Sequence, residues 1–230
     1  MQTRKDEAIP PFLREIPMDP TSTLEYIKTQ ISSIYTAAAK IPDPDNHDND
    51  EQALHIDHDT YAKIYTAVFD YTRVSDQRPK TQQSPGVRGE IIFQHLSAEI
   101  RKYCECVRGQ VFGVDNNEVV DEMRARKVLK MYMSCYGRFS RLSLLVKNLM
   151  GFWNRHWVGH QWALRKISVS SVEELHKLIW KEEVLERERL EVVVNAVAVL
   201  REEPVMSEYD LVLVKDVVKS LSGLGVTLDS

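Results

Sequence analysis

Apolar residues return every three or four positions along most of this chain, which is the period of one face of an α-helix. Leu24, Ile27, Ile31, Ile34 and Ala38 form the first series, opened by a capping box, Ser22-x-x-Glu25. It stops at Ile41-Pro42-Asp43-Pro44, because proline lacks a backbone donor and disfavours the helical conformation of its predecessor. Residues 42–59 are acidic and mostly aperiodic, which predicts a mobile loop. Tyr61, Ile64, Tyr65, Val68 and Tyr71 or Thr72 predict a second helix, starting near Asp59 or Thr60. Residues 75–89 read as another polar loop. Ile92, Leu96, Ile100, Tyr103 and Val107 then carry a third helix, followed by a turn from Gly109 to Asn117.

The strongest stripe is Val128, Met131, Tyr132, Cys135, Phe139, Leu142, Val146, Leu149 and Trp153. It runs without proline for about seven turns and predicts one long helix. A separate helix, starting near Asn117 or Glu118, fits before it. Beyond Trp157, Val172, Leu175 and Ile179 form a new face that ends in the charged stretch Lys181 to Glu191. Glu183 and Arg187 there have the spacing of a favourable i,i+4 pair. Leu190, Val193, Val194, Val197 and Leu200 continue as helix, although the β-branched run Val192 to Val194 leaves a strand open. After Pro204, Leu211, Val214, Val218 and Leu221 predict a last helix, with Gly223 and Gly225 as its C-terminal caps. The whole pattern predicts an all-α fold, a helical bundle or α-solenoid of long antiparallel helices.

Composition narrows the class. A chain of 230 residues with 43% apolar and 28% charged residues can bury a core without metal or disulfide staples. Thirty basic against 34 acidic residues leave a net charge of −4, which argues against a dedicated nucleic-acid binder. The first residues lack the apolar centre of a secretory signal, and no apolar run approaches the length of a membrane span. Cys104, Cys106 and Cys135 are odd in number and read as free, buried thiols of a reducing compartment, the cytoplasm or nucleus.

Candidate chemistry is sparse. His47, His55 and His58, with Asp43, Asp45, Asp48, Asp50, Asp57 and Asp59, offer metal-binding groups, but the EF-hand glycine and glutamate are missing. A solvated acidic loop is the better reading. His156 and His160 have the spacing of a zinc pair without a general-base glutamate between them, so packing histidines are favoured. Trp153, Trp157 and Trp162 crowd the end of the long helix and are expected to pin it to the next layer. Asn154 and Arg155 are placed to donate to its last carbonyls. No nucleophile motif or phosphate loop occurs, which points away from an enzyme.

Several segments, in order, resemble the N-terminal repeat of the cullins. Phe152 to Val158 (FWNRHWV), after the long helix, is similar to the family's Y-[LM]-N-R-[HY]-W-V signature. Tyr61 to Tyr71 (YAKIYTAVFDY) resembles the second helix of that repeat, especially in the SCF class. Gly89 to Phe93 resembles the start of the third helix, Leu178 to Glu182 the W-[KR]-[DE] element, and Val212 to Val226 the ending L-x-x-LG-[LI]. The resemblance covers about residues 22–228.

The resemblance implies a non-catalytic scaffold in a cullin-RING (SCF-type) ubiquitin ligase, binding a BTB/POZ-fold adaptor and its F-box partner, with no cofactor, nucleic acid or membrane. It implies a tail at 1–21, a first cullin repeat at 22–165 and the start of a second at 166–230. Nothing in these residues resembles the family's RING-docking domain, so a RING partner is implied only for a longer native chain. The adaptor-binding residues carried over are Tyr61, Ala62, Tyr65 and Phe69 from the second helix, with Asn148 and Phe152 from the long one. Ala62 and Phe152 depart from the Met and Tyr frequent in the SCF class, which implies a re-tuned adaptor preference. Periodicity alone places Tyr61 and Tyr65 on a stripe with Ile64 and Val68 and so reads them as core, with Phe69 at its edge. Two other readings stay open: a metal-dependent enzyme using the His/Asp loop or His156 and His160, and an unrelated helical-repeat interaction module.

Overall fold

The computed structural model describes residues 19–40, 54–73, 85–113, 121–166, 168–203 and 206–226. Among them the chain is all-α: α1 (Pro20–Ala38), α2 (His58–Arg73), α3 (Pro85–Phe112), α4 (Glu122–Leu149), the short α5 (Gly151–Trp153), a π-helical turn (Asn154–Val158), α6 (Gly159–Ala163), α7 (Val172–Glu183), α8 (Arg187–Arg201) and α9 (Glu208–Gly223). The β-branched run Val192 to Val194 is helical, because Val193, Ala196, Val197 and Leu200 bury one stripe of α8.

Short polar side chains set the helix starts. Asp19, rather than Ser22, caps α1: its carboxylate accepts from Ser22 N–H at 2.9 Å, with Pro20 as the first helical residue. The capping box expected at Ser22 and Glu25 is absent, and Glu25 bonds to Lys28 instead. A capping box does open α7, where Ser171 and Glu174 satisfy each other's backbone donors. Asp57 accepts from Thr60 N–H at 2.9 Å and Thr60 Oγ at 2.6 Å, so α2 begins inside the expected loop. These bonds hold the Asp57 carboxyl below its usual range. The helix α3 likewise begins at Pro85, within the second expected loop, since proline is tolerated in a first turn. It runs through Gly109 to Phe112, where a turn was expected. The centres of both loops and the start expected at Asn117 or Glu118 lie outside the described residues.

The core is continuous from α1 to α9. The centre is α4, which packs on α1, α2 and α3 on one side and on α7, α8 and α9 on the other. Its buried stripe is Ala125, Leu129, Tyr132, Cys135, Phe139, Leu142, Val146 and Leu149, so Leu129 takes the place expected for Val128. The helix ends at Leu149 with Met150 as its cap, and the expected last position, Trp153, is buried in the short α5 that follows. In α9 the buried face is Leu213, Val214, Val217 and Leu221, while Leu211 is exposed. Of the two glycines expected to cap it, only Gly225 is left-handed (φ 71°).

Polar ties cross the core. Arg126 grips Asp210 of α9 with two bonds, Nε to Oδ1 at 2.7 Å and Nη2 to Oδ2 at 2.9 Å. Buried Arg138 donates to the Ala38 and Lys40 carbonyls at the end of α1, where a cation also complements the helix dipole. His176, fully buried, lies with Nδ1 2.6 Å from the Val172 carbonyl and Nε2 2.7 Å from the Tyr35 hydroxyl. The carbonyl can only accept, so Nδ1 carries the proton and Nε2 accepts from Tyr35. Glu183 pairs with Arg101 and Arg108 of α3 rather than with Arg187, which pairs with Glu191.

Candidate protein interface

Beyond Leu149 the chain stays helical through α5, the π turn and α6. A π-helical turn follows α5 and inserts an extra residue, which re-aims every side chain after it. Trp153 and Trp157 both point inward, stacked at 5.0 Å between ring centroids, with Phe93 of α3 6.0 Å from Trp157. Trp162 does not join them: it is 49% exposed, and its Nε1 donates to the Val169 carbonyl at 2.7 Å. Asn154 is also not a donor to the end of α4. Its Oδ1 accepts from Val172 N–H at 3.0 Å and so ties the π turn to the start of α7.

Just before the π turn, α5 places Phe152 against α2. The Phe69 and Phe152 rings meet edge to face at 4.4 Å, and His156 stacks on Phe152 at 4.1 Å. Arg73 lies over the Phe69 ring, 5.3 Å from its centroid. Such an aromatic pair stabilises by about 0.5–1.5 kcal/mol beyond the area it buries. The row Arg73, Phe69, Phe152, His156 therefore bridges two elements distant in sequence.

The other α2 residues divide by face. Ile64, Ala67, Val68 and Tyr71 are buried, which makes Tyr71 rather than Thr72 the last core position. Tyr61, Ala62 and Tyr65 are half-buried, as are Phe69 and Phe152. Tyr61 packs on the core edge, and burial pushes its hydroxyl pKa up, with Tyr65 adding to the shift. The ridge is thus neither sealed inside nor free. Asn148 is exposed on α4. One turn before it stands Leu144, 57% exposed, which the apolar stripe gave no reason to single out. A leucine off the stripe on an otherwise polar helix face was the available signal.

Between α1 and the start of α2 lies a shallow cleft of about 180 Å³, lined by Ser33, Ile34, Ala37, Leu54, Ile56 and Leu145 among others. No three His, Cys, Asp or Glu side chains converge to hold a metal among the described residues. His55, Asp57, His58 and Asp59 are described, while His47 and the Asp43 to Asp50 carboxylates lie outside. His156 and His160 are surface residues, the former held on Phe152, rather than core packing. Among the described residues no helix is long and apolar enough to cross a membrane. Cys104 and Cys135 are buried thiols, as expected, whereas Cys106 is exposed. No protein-family model matches the chain, and no curated protein or solved structure is similar to it.

Proposed function

We propose that the chain is a non-catalytic, cullin-repeat-like scaffold that binds a BTB/POZ-fold adaptor with its F-box partner, as part of an SCF-type ubiquitin ligase. The observation that carries this reading is the half-buried aromatic row joining α2 to α5 through Phe69 and Phe152. Tyr61, Tyr65 and Phe69 lie four residues apart and share one helix face, the geometry with which one helix meets a partner. Half-burial fits a hot spot, since an anchored aromatic side chain loses little further freedom on binding. In this reading Leu144 and Asn148, both exposed on α4, belong to the same surface. In this reading too, the small Ala62, between Tyr61 and Tyr65 on α2, sets adaptor selectivity.

The test is titration calorimetry of the purified chain with a recombinant BTB/POZ-fold adaptor carrying an F-box peptide. Tyr61→Ala combined with Tyr65→Ala is expected to weaken binding at least a hundredfold, about 2.7 kcal/mol. Circular dichroism of the double variant is expected to show unchanged helicity. A folded variant that binds like the parent, or a parent that does not bind, removes the reading.

A further inference from the structure

From Met123 to Val172, fifty residues contain no Asp or Glu and ten Lys or Arg, in a chain with 34 acidic residues. Four of those ten cations have named partners within the fold. Arg126 holds Asp210, Lys130 lies over the Tyr209 ring, Arg138 holds α1, and Lys147 pairs with Glu173. Three at the end of the stretch differ: Arg155, Arg165 and Lys166 are exposed, and none forms an ion pair among the described residues. The carboxylates that follow are already engaged. Glu173 is held by Lys147 and Lys177, and Glu174 closes the capping box with Ser171.

The corner after α6 is built rather than loose. Arg165 N–H donates to the Trp162 carbonyl at 2.8 Å, and Lys166 N–H donates to the Gln161 carbonyl at 3.1 Å. This turn requires a left-handed residue, and the position is filled by Arg165 at φ 58°, the one non-glycine residue with positive φ among those described. Glycine adopts that conformation without strain, so an arginine there is unfavourable for folding alone. Beside it stand Trp162, fixed through its Nε1 so that its ring is presented outward, and Leu164, 57% exposed.

We propose that this corner binds an acidic polypeptide segment carrying a large apolar side chain. The apolar group seats on Trp162 and Leu164, and its flanking carboxylates meet Arg165 and Lys166. Charge complementarity sets the partner's sign. Its class follows from the size of the patch. Three cations are fewer than the about 6–10 phosphate contacts of a duplex binder, and a chain of net charge −4 repels a long polyanion. The five-residue α6 is too short to lie in a bilayer surface as an amphipathic helix. The corner shares no residue with the α2 ridge, so this proposal stands apart from the adaptor reading.

The test pans a random dodecapeptide phage library against the immobilised intact chain. Enriched peptides are expected to combine several Asp or Glu with a Trp, Phe or Leu. A labelled copy of the leading peptide should bind more weakly as NaCl rises. It should lose about tenfold in affinity to the Arg165→Gly, Lys166→Gln variant. Arg165→Gly alone is expected to melt no lower than the parent, because glycine suits the turn, which separates binding from folding. Tyr61→Ala with Tyr65→Ala should leave peptide binding unchanged. Failure to enrich acidic sequences, undiminished binding by the variant, or tighter competition by a thymidine oligonucleotide or phosphatidylserine vesicles would overturn the proposal.

Discussion

The indole of Trp157 lies directly against the α-carbon of Gly89, so that a Cβ at position 89 would fall on its Cδ1, Nε1 and Cγ atoms. The ring has little room to retreat, being stacked on Trp153 and flanked by Phe93. Gly89 lets α3 approach the π turn closely, which seats the turn and, through it, Phe152.

Gly89→Ala is therefore expected to destabilise. Overpacking costs about 1–3 kcal/mol, against at most about 1 kcal/mol of helix propensity gained. Gly109→Ala in the same helix, where an added Cβ meets nothing within 4 Å, should stabilise by about 0.5–1 kcal/mol. Opposite shifts in thermal midpoint would confirm the packing difference; two equal shifts would contradict it.

Acid is expected to weaken the fold through His176. Burial lowers its pKa to about 4 in the folded chain, against about 6.5 when unfolded. Between these values the unfolded state binds more protons. The contribution is complete above pH 6.5 and is lost as pH falls toward 4, up to about 3 kcal/mol. Tyr35→Phe leaves Nε2 without its donor and should cost about 1–3 kcal/mol at neutral pH. Urea denaturation as a function of pH measures both.

The Arg126 to Asp210 pair ties α4 to α9, and Arg126 holds the Asp210 carboxyl down to about 2. Arg126→Ala should destabilise the seat of α9, because the Asp210 carboxylate keeps Ser207 and loses its charged partner. Hydrogen exchange should rise in α9 before it rises in α1. Uniform acceleration along the chain would contradict this placement.

Thiol chemistry should separate the cysteines. Only Cys106 is exposed, and burial pushes the Cys104 thiol well up. An aromatic disulfide reagent is expected to label one thiol in the native chain and all three in denaturant. Fast native labelling of Cys104 would show that α3 does not sit as described.

What the sequence determined by itself is what neighbours along the chain decide. Apolar recurrence at three and four residues places α1, α2, α4 and α7 where they stand, and the spacing of Tyr61, Tyr65 and Phe69 puts these residues on one ridge. The tertiary structure alone decided which way each face points and what meets it. Trp162, after the π turn, faces outward, and Phe152 in α5 meets Phe69 of α2. Glu183 bonds to Arg101 across a helix interface instead of to its neighbour in sequence. A helix forms from bonds spanning four residues, so its pattern is local, whereas side-chain partners are chosen by packing among elements scores of residues apart.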